Sequence, residues 1–451
     1  MPEQAFTEPL FTAGEMRTAE ERYPGYPESA AELMERAGTA VARQALDTFP
    51  DAQSFAVVCG GGANGGDGRI AARVLREAGR DAVETHAVEG ADVIVDALFG
   101  TGFAGEPRTE AAALIERMNA AGAPIVAVDV PSGVDASTGE IAGAAVRATL
   151  TITFHGPKVG LAVAPGLFHA GEVVVAGIGL TGEETAHRLV LPDILELVPG
   201  KRAADTKYTA GSVLVVGGAP DLTGAVCLAA EAAFRADAGH VAVAVPAASL
   251  PVVESKLLEP VKRTWAEIDE AAERAGAVAI GPGLGRTKEA KELVARLLRE
   301  LEQPVVLDAD ALHELEPGDW RPPVVLTPHA GELGRLLGEE SSWVDAHRLE
   351  AARRASERFG CTCLLKGAGT IVCAPGAAVL VCAAEAPALA TAGTGDVLTG
   401  VLAAFLAKGL EPRLAAAAAA TATAEAVQRI PLGSGVIASD VVAALPALRR
   451  T

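Results

Sequence analysis

Aromatic residues make up only 4% of the chain, with three tryptophans and three tyrosines in 451 residues. Cores built on large stacked rings are thereby excluded. Half the residues are hydrophobic and glycine is abundant, so close backbone approach and small aliphatic contacts are expected instead. Basic residues are also short: 38 Lys and Arg face 58 Asp and Glu, a formal charge of −20. Such a balance excludes nucleic acid and anionic membranes as partners, since both need positive charge against phosphate. A small phosphate-bearing ligand stays possible if local devices hold it, namely helix N-termini, backbone nests and a few lysines. The cysteines lie at 59, 227, 361, 363, 373 and 382, and no C-x-x-C occurs among them. A zinc cage and a thioredoxin-type site are thus not indicated, and buried reduced thiols are expected. The chain does not open on a basic segment followed by an apolar one. Its longest uncharged run, 367–384, is broken by Pro375 and Gly376 and reads as two buried strands. A cytoplasmic protein is expected.

What is present is a repeated alternation of short β-branched runs with amphipathic ones. In the first half the strand-like runs are "SFAVVCG", "DAVETHAV", "ADVIVDALFG", "PIVAVDVPSG", "TLTITFHG" and "EVVVAGIGL", with helical patterns such as "GRIAARVLREAG" and "TEAAALIERMNAAG" among them. Apolar runs without strict alternation mean strands covered on both faces, hence a doubly wound, mostly parallel sheet. Residues 185–207 change character, with two prolines, a glycine and clustered charge, and suit a linker. A second α/β series follows, with "SVLVVGG", "HVAVAVP", "AVAIGPG", "PVVLDAD", "PVVLTPH", "CTCLLKG" and "AAVLVC" as strands. Two α/β/α domains are expected, 1–200 and 201–451. The echo of "VVCGGGANGG" in "VVGGAPDLTG" is not sustained, so they are unrelated rather than repeats.

In open α/β sheets, ligands gather at the carboxyl ends of strands, and the unusual polar residues lie there. "CGGGANGGDG" (59–68) satisfies the G-x-G-x-x-G spacing, a weak signal alone, but it adds Asn64 and Asp67 among amides that would suit an anion. Asp96, Asp129 and Ser132 end two further strands. In the second half "TAGTGDVLTG" sets Gly393-Thr394-Gly395 before an apolar helix. Its amides make a site for charge developing on a transferring phosphoryl group, and Asp396 can take a proton from an attacking hydroxyl. Read without further context, this is equally a glycine-rich turn with an acidic helix start.

Context decides. The second half resembles the ribokinase-like superfamily and, within it, the NAD(P)H-hydrate dehydratases. The ordered set "GGAPDLTGAVCLAAEAAFRADAGHV", "GPGLG", "VVLDADAL", "TPHAGE", "LLKGAGT" and "AGTGDVLTG" carries the likeness over about two hundred residues. The resemblance implies Ala225, Gly285 and His329 around a hydrated nicotinamide nucleotide. It puts Lys366, Gly367, Ala368, Gly369 and Thr370 on a nucleotide phosphoryl donor, Gly395 beside it, and Asp396 at the substrate hydroxyl. Glu332 would serve the surroundings of magnesium and phosphate. ADP is the donor in similar bacterial proteins and ATP in eukaryotic ones. Ala225 equally allows helix packing, Lys366 a solvated loop charge and His329 a core histidine; Asp308 and Asp310 have no assigned role.

Over residues 10–200 the first half resembles the NAD(P)H-hydrate epimerases, a Rossmann-like fold. The likeness rests on "ELMERAG", "GGGANGGDG", "DALFGTGFAGE", "AVDVPSGVDASTG" and "FHGPKVGLAVAPG". It implies a potassium ion among Asn64, Asp96 and Ser132, a hard-oxygen set. Gly65, Gly66 and Asp67, with Gly100, Thr101, Gly102, Phe103, Ala104, Gly105 and Glu106, would line the substrate diphosphate and ribose. Asp129 is the candidate acid/base, and Lys158 has no step. The family usually has two asparagines where this chain has Ala63-Asn64, so a contact from the first is lost. The fusion implies repair of hydrated NADH and NADPH by epimerisation and nucleotide-dependent dehydration, in a homo-oligomer. The alternative is a ribokinase-like kinase of a small alcohol with a non-catalytic binding module attached.

Overall fold

The computed structural model describes residues 3–448 apart from 183, 385 and 432. The chain divides into two compact units. One is Pro9–Arg188 with Asp345–His347. The other is Leu189–Val344 and Arg348–Thr451, with the stretch ending at Glu8.

The first unit is built on six strands in the spatial order Asp81–Glu84, Ser54–Cys59, Val93–Ala97, Ile125–Val128, Leu150–Phe154, Glu172–Ala176. Every pairing is parallel. The six apolar runs supply them, and alternation divides their side chains between two buried faces. Phe55, Val57 and Val95 join helices Ala30–Thr48 and Ala63–Glu77 in one cluster, while Ala56, Val58 and Ile94 join helix Thr109–Ala120 in another. The chain leaves Ser54–Cys59 for the edge and returns to its other side at Val93–Ala97. A crevice opens at the carboxyl ends of strands where the order reverses in this way.

The second unit contains seven parallel strands in the order Val261–Thr264, His240–Val245, Ser212–Val216, Ala277–Ile280, Val305–Leu307, Val324–Leu326, Thr362–Leu365. Antiparallel Thr370–Cys373 and Val379–Cys382 follow, and they are the two strands expected of the uncharged run. Thr7–Leu10 and His187–Val190 complete that edge of the sheet. The order reverses between Ser212–Val216 and Ala277–Ile280. Helix Thr394–Ala407 lies so close to helix Thr223–Arg235 that a Cβ on Gly400 would stand 2.1 Å from the Ala229 carbonyl oxygen. Ala415 to Ala419 of helix Pro412–Gln428 are fully buried. Small residues thus do the packing that aromatics do elsewhere.

Residues 185–207 hold more structure than a linker: besides His187–Val190 they form the 3-10 helix Pro192–Leu197, which buries Ile194 completely. All six cysteines are free, and all but the half-buried Cys227 are buried. Burial pushes the Cys361 thiol up to about 12, out of reactive range. Among the described residues no helix is long and apolar enough to cross a membrane.

Candidate active sites

In the first unit four glycines of 59–68, namely Gly60, Gly65, Gly66 and Gly68, serve close approach rather than unusual dihedrals, while Gly61 and Gly62 face open space. A Cβ on Gly60 would stand 2.0 Å from the Leu98 carbonyl oxygen, and one on Gly65 would stand 1.9 Å from that of Gly60. This compression brings the start of helix Ala63–Glu77 against the loop after Val93–Ala97. Asn64, 8% exposed, donates from Nδ2 to the Phe99 carbonyl at 2.8 Å. Ser132 Oγ accepts from the Phe99 amide at 2.8 Å and donates to Asp96 Oδ1 at 2.7 Å, and Asp96 Oδ2 accepts from the Ser132 amide at 2.8 Å. Asn64, Asp96 and Ser132, distant in sequence, therefore meet around one peptide. Asp96 is fully buried, and burial pushes its carboxyl up to about 6 against the opposing bonds from Ser132 and Leu98. A buried carboxylate amid oxygen donors and with no basic partner among the described residues suits a cation. Gly100 packs on Asn64, and Phe103 stacks on Phe99 at 4.6 Å; Gly102, Ala104, Gly105 and Glu106 are exposed beyond them. Ala63, the first residue of the helix, is also exposed.

Beside this cluster stands an acidic one. Asp129 occupies the left-handed region at φ 68° and pairs through Oδ1 with Lys158 at 2.9 Å. Asp67 is pushed up to about 8 by burial first and then by the charges of Asp129 and Glu20. Glu20, on helix Ala13–Glu21, is raised by burial and by Asp129, with Lys158 and Arg17 opposing. Glu20 escapes a reading of the sequence because "MRTAEERY" looks like any solvated helix; only the fold brings it to the strand ends.

In the second unit the helix expected after "TAGTG" runs from Thr394 to Ala407, with Gly393 as its N-cap at φ 90°. Asp396 is in its first turn. Lys366 is not a solvated loop charge: its side chain is 19% exposed, with Nζ 2.7 Å from Asp308 Oδ1 and 3.8 Å from Glu332 Oε2. The same ammonium stands 3.5 Å from where a Cβ on Gly395 would be. Burial disfavours its charge, but Asp308 and Glu332 outweigh that and raise its pKa. Asp396 is pushed up to about 7, by burial first and then by Asp308, against the lowering effect of Lys366.

Asp308, 1% exposed, also accepts from Thr327 Oγ1 at 2.9 Å and from Thr399 Oγ1 at 2.8 Å. It thus ties two strand ends to the helix that presents Asp396. Asp310 accepts from the Gly285 amide at 3.0 Å and from Arg286 at 2.8 Å, ordering the "GLGR" turn. His329 is no core histidine. It is an exposed N-cap whose Nδ1 accepts from the Gly331 amide, while its own amide donates to Glu332. Buried Arg348 donates to the Lys366 carbonyl at 3.2 Å and backs the Gly367 turn; no motif marked it. Thr370 closes that turn by donating to the Gly367 carbonyl at 2.9 Å. Ala225 is half-buried in the first turn of helix Thr223–Arg235, at the order reversal.

Comparison with known proteins agrees with this division. Residues 213–446 match the family model described as NAD(P)H-hydrate dehydratase. Residues 30–91 and 80–160 match that described as YjeF-related protein N-terminus. A bifunctional NAD(P)H-hydrate repair enzyme of Pyrobaculum aerophilum is 39% identical over 472 residues, covering 93% of each chain. Its counterpart from Escherichia coli is 34% identical, covering 92% of this chain and 88% of its own. Among solved structures, the ADP/ATP-dependent NAD(P)H-hydrate dehydratase of Bacillus subtilis, co-crystallised with ATP and Mg2+, matches with a TM-score of 0.51 at 27% identity. That match covers 57% of this chain and 95% of the other.

Proposed function

The chain belongs to the family of bifunctional NAD(P)H-hydrate repair enzymes, and from that membership we propose how its residues divide the work. The enzyme repairs hydrated NADH and NADPH by epimerisation and by nucleotide-dependent dehydration. In our reading the first unit interconverts the R and S hydrates and the second dehydrates the S form.

In the hydrate the hydroxyl sits on the carbon next to the ring nitrogen. Asp129 takes the hydroxyl proton, the carbon–nitrogen bond opens to an aldehyde, and the electron pair on nitrogen receives a proton. Closure on the other face of the aldehyde gives the other epimer. Asn64, Asp96 and Ser132 would hold potassium, which would neutralise the Asp96 charge and stiffen the crevice. Gly65 to Asp67 and Gly100 to Glu106 would line the diphosphate and ribose.

For dehydration, Asp396 takes the hydroxyl proton and the oxygen attacks the terminal phosphoryl group of the donor. An O–P bond forms there while the bond to the leaving nucleotide breaks. The ring nitrogen pair then expels phosphate, and loss of a proton from the adjacent ring carbon restores the double bond. ADP is the donor we favour. Lys366 to Thr370 and the amides at Gly395 would cradle its phosphates, while Ala225, Gly285 and His329 would border the nicotinamide nucleotide. Three carboxylates, Asp308, Glu332 and Asp396, face one lysine, and Asp310 acts on Asp396, a balance that suits magnesium carried in with the donor. A cytoplasmic homo-oligomer completes the reading.

The observation that supports it is the meeting of Lys366, Gly395 and Asp396 at one helix N-terminus, an arrangement that suits a phosphoryl group with a base beside it. The test supplies both epimers with magnesium and either ADP or ATP, and follows reduced-nicotinamide absorbance. Full recovery with release of inorganic phosphate is expected. Accumulation of a phosphorylated hydrate would instead indicate a kinase, and recovery of one epimer alone would confine catalysis to the second unit.

A further inference from the structure

Lys158 is fully buried, which is rare for a lysine. Its ammonium faces four acceptors: Thr153 Oγ1 at 2.7 Å, Asp129 Oδ1 and the Phe154 carbonyl at 2.9 Å, and the Gly156 carbonyl at 3.1 Å. Thr153 Oγ1, whose lone pair the lysine engages, donates in turn to Asp129 Oδ1 at 3.0 Å. One oxygen of Asp129 is therefore held twice, and Oδ2 accepts no hydrogen bond from the described residues. The backbone is held as well, since Asp129 keeps its left-handed conformation while its amide donates to the Ile152 carbonyl at 2.8 Å. Phe154 and Gly156 belong to the neighbouring strand end. Lys158 thus staples two adjacent strand ends at the place where the fold collects ligands.

Resting on the reading of Asp129 as the epimerase base, we infer that Lys158 is a positioning residue. It fixes Oδ1 and sets a positive charge against the carboxylate, so that Oδ2 alone meets the substrate proton. The charges facing Asp129 show why a cation is needed. Glu20 from helix Ala13–Glu21 and Asp67 from helix Ala63–Glu77 are both acidic, and Lys158 is the cation in direct contact with it. Without that ammonium nothing in direct contact among the described residues offsets the crowding of acidic groups or holds Oδ1 aside.

The test uses the full chain with purified R hydrate for epimerisation and S hydrate for dehydration. Thr153→Val keeps the lysine and removes only the bridging hydroxyl. We expect it to lower epimerase kcat roughly three- to tenfold with KM little changed, and to move the acidic limb of the rate profile toward higher pH. Lys158→Met shifts the limb the same way with a loss of about a hundredfold or more, and dehydration of the S hydrate is unaffected in both. If Lys158→Met fails to fold, Thr153→Val decides. An unmoved limb, or a rise in KM alone, overturns the inference while Asp129→Asn still abolishes epimerisation. Epimerisation surviving Asp129→Asn sinks the reading beneath it as well.

Discussion

Asp396 shows how burial and charge set chemistry at a single residue. Pushed up to about 7, it is half ionised near neutrality, where a base both accepts and releases a proton readily. Because the ionised form is the active one in the proposed mechanism, dehydratase kcat/KM should fall as pH drops through about 7. Asp396→Asn should lose roughly 10²- to 10⁴-fold in rate while nucleotide binding by calorimetry persists. A flat profile between pH 6 and 8 would argue against Asp396 as the base. At Asp96 the raised carboxyl bears on stability rather than on activity. Its native carboxyl is raised to about 6 from the ordinary 3.8, so its contribution to stability is present at low pH and lost as pH rises through about 6. A bound potassium ion would compensate there. Potassium chloride, against choline chloride at equal ionic strength, should raise the melting temperature of the first unit at pH 8 and do so less at pH 5. Equal shifts at both values would count against a cation at Asp96.

At the scale of elements, the two helices beneath the proposed phosphoryl site depend on the absence of side chains. Gly400 leaves no room for a methyl group against Ala229, so Gly400→Ala must part the helices, at a cost of about 1–3 kcal/mol. Its thermal melt should fall and dehydration weaken while epimerisation continues. Thr399 anchors the same helix to Asp308 through a buried 2.8 Å bond. Thr399→Val should cost about 1.5–3 kcal/mol by denaturant titration, since it leaves a buried carboxylate short of a donor. It should also lower kcat more than it raises KM. A stable variant with unchanged kcat would mean that Asp308 needs only Lys366 and Thr327.

For the whole molecule, two units with separate sheets and separate charge clusters should act as separable catalysts. Chains carrying Asp129→Asn and chains carrying Asp396→Asn, each unable to clear both epimers alone, should together restore full recovery of reduced cofactor when mixed. Failure of the mixture would mean that substrate does not pass between chains. The fourteen strands read from the sequence are all present, because uninterrupted apolar runs with β-branched residues have few other places to go. Three short strands escaped notice, Thr7–Leu10, His187–Val190 and Val261–Thr264, the last because it is half-exposed and carries Lys262 and Arg263. Asn64, Asp96 and Ser132 could be singled out because motif and strand end coincide there, and Asp396 because its glycine-rich motif opens a helix. Glu20, Arg348, Thr399 and the roles of Lys158 and Asp308 were not, because each acts through a partner far away in the chain. By itself, then, the sequence determined the two α/β units, their families and the residues at the strand ends. Only the tertiary structure decided which charges face one another, and with them the protonation of Asp67 and Asp396, because burial and the distance between charges exist only once the chain has folded.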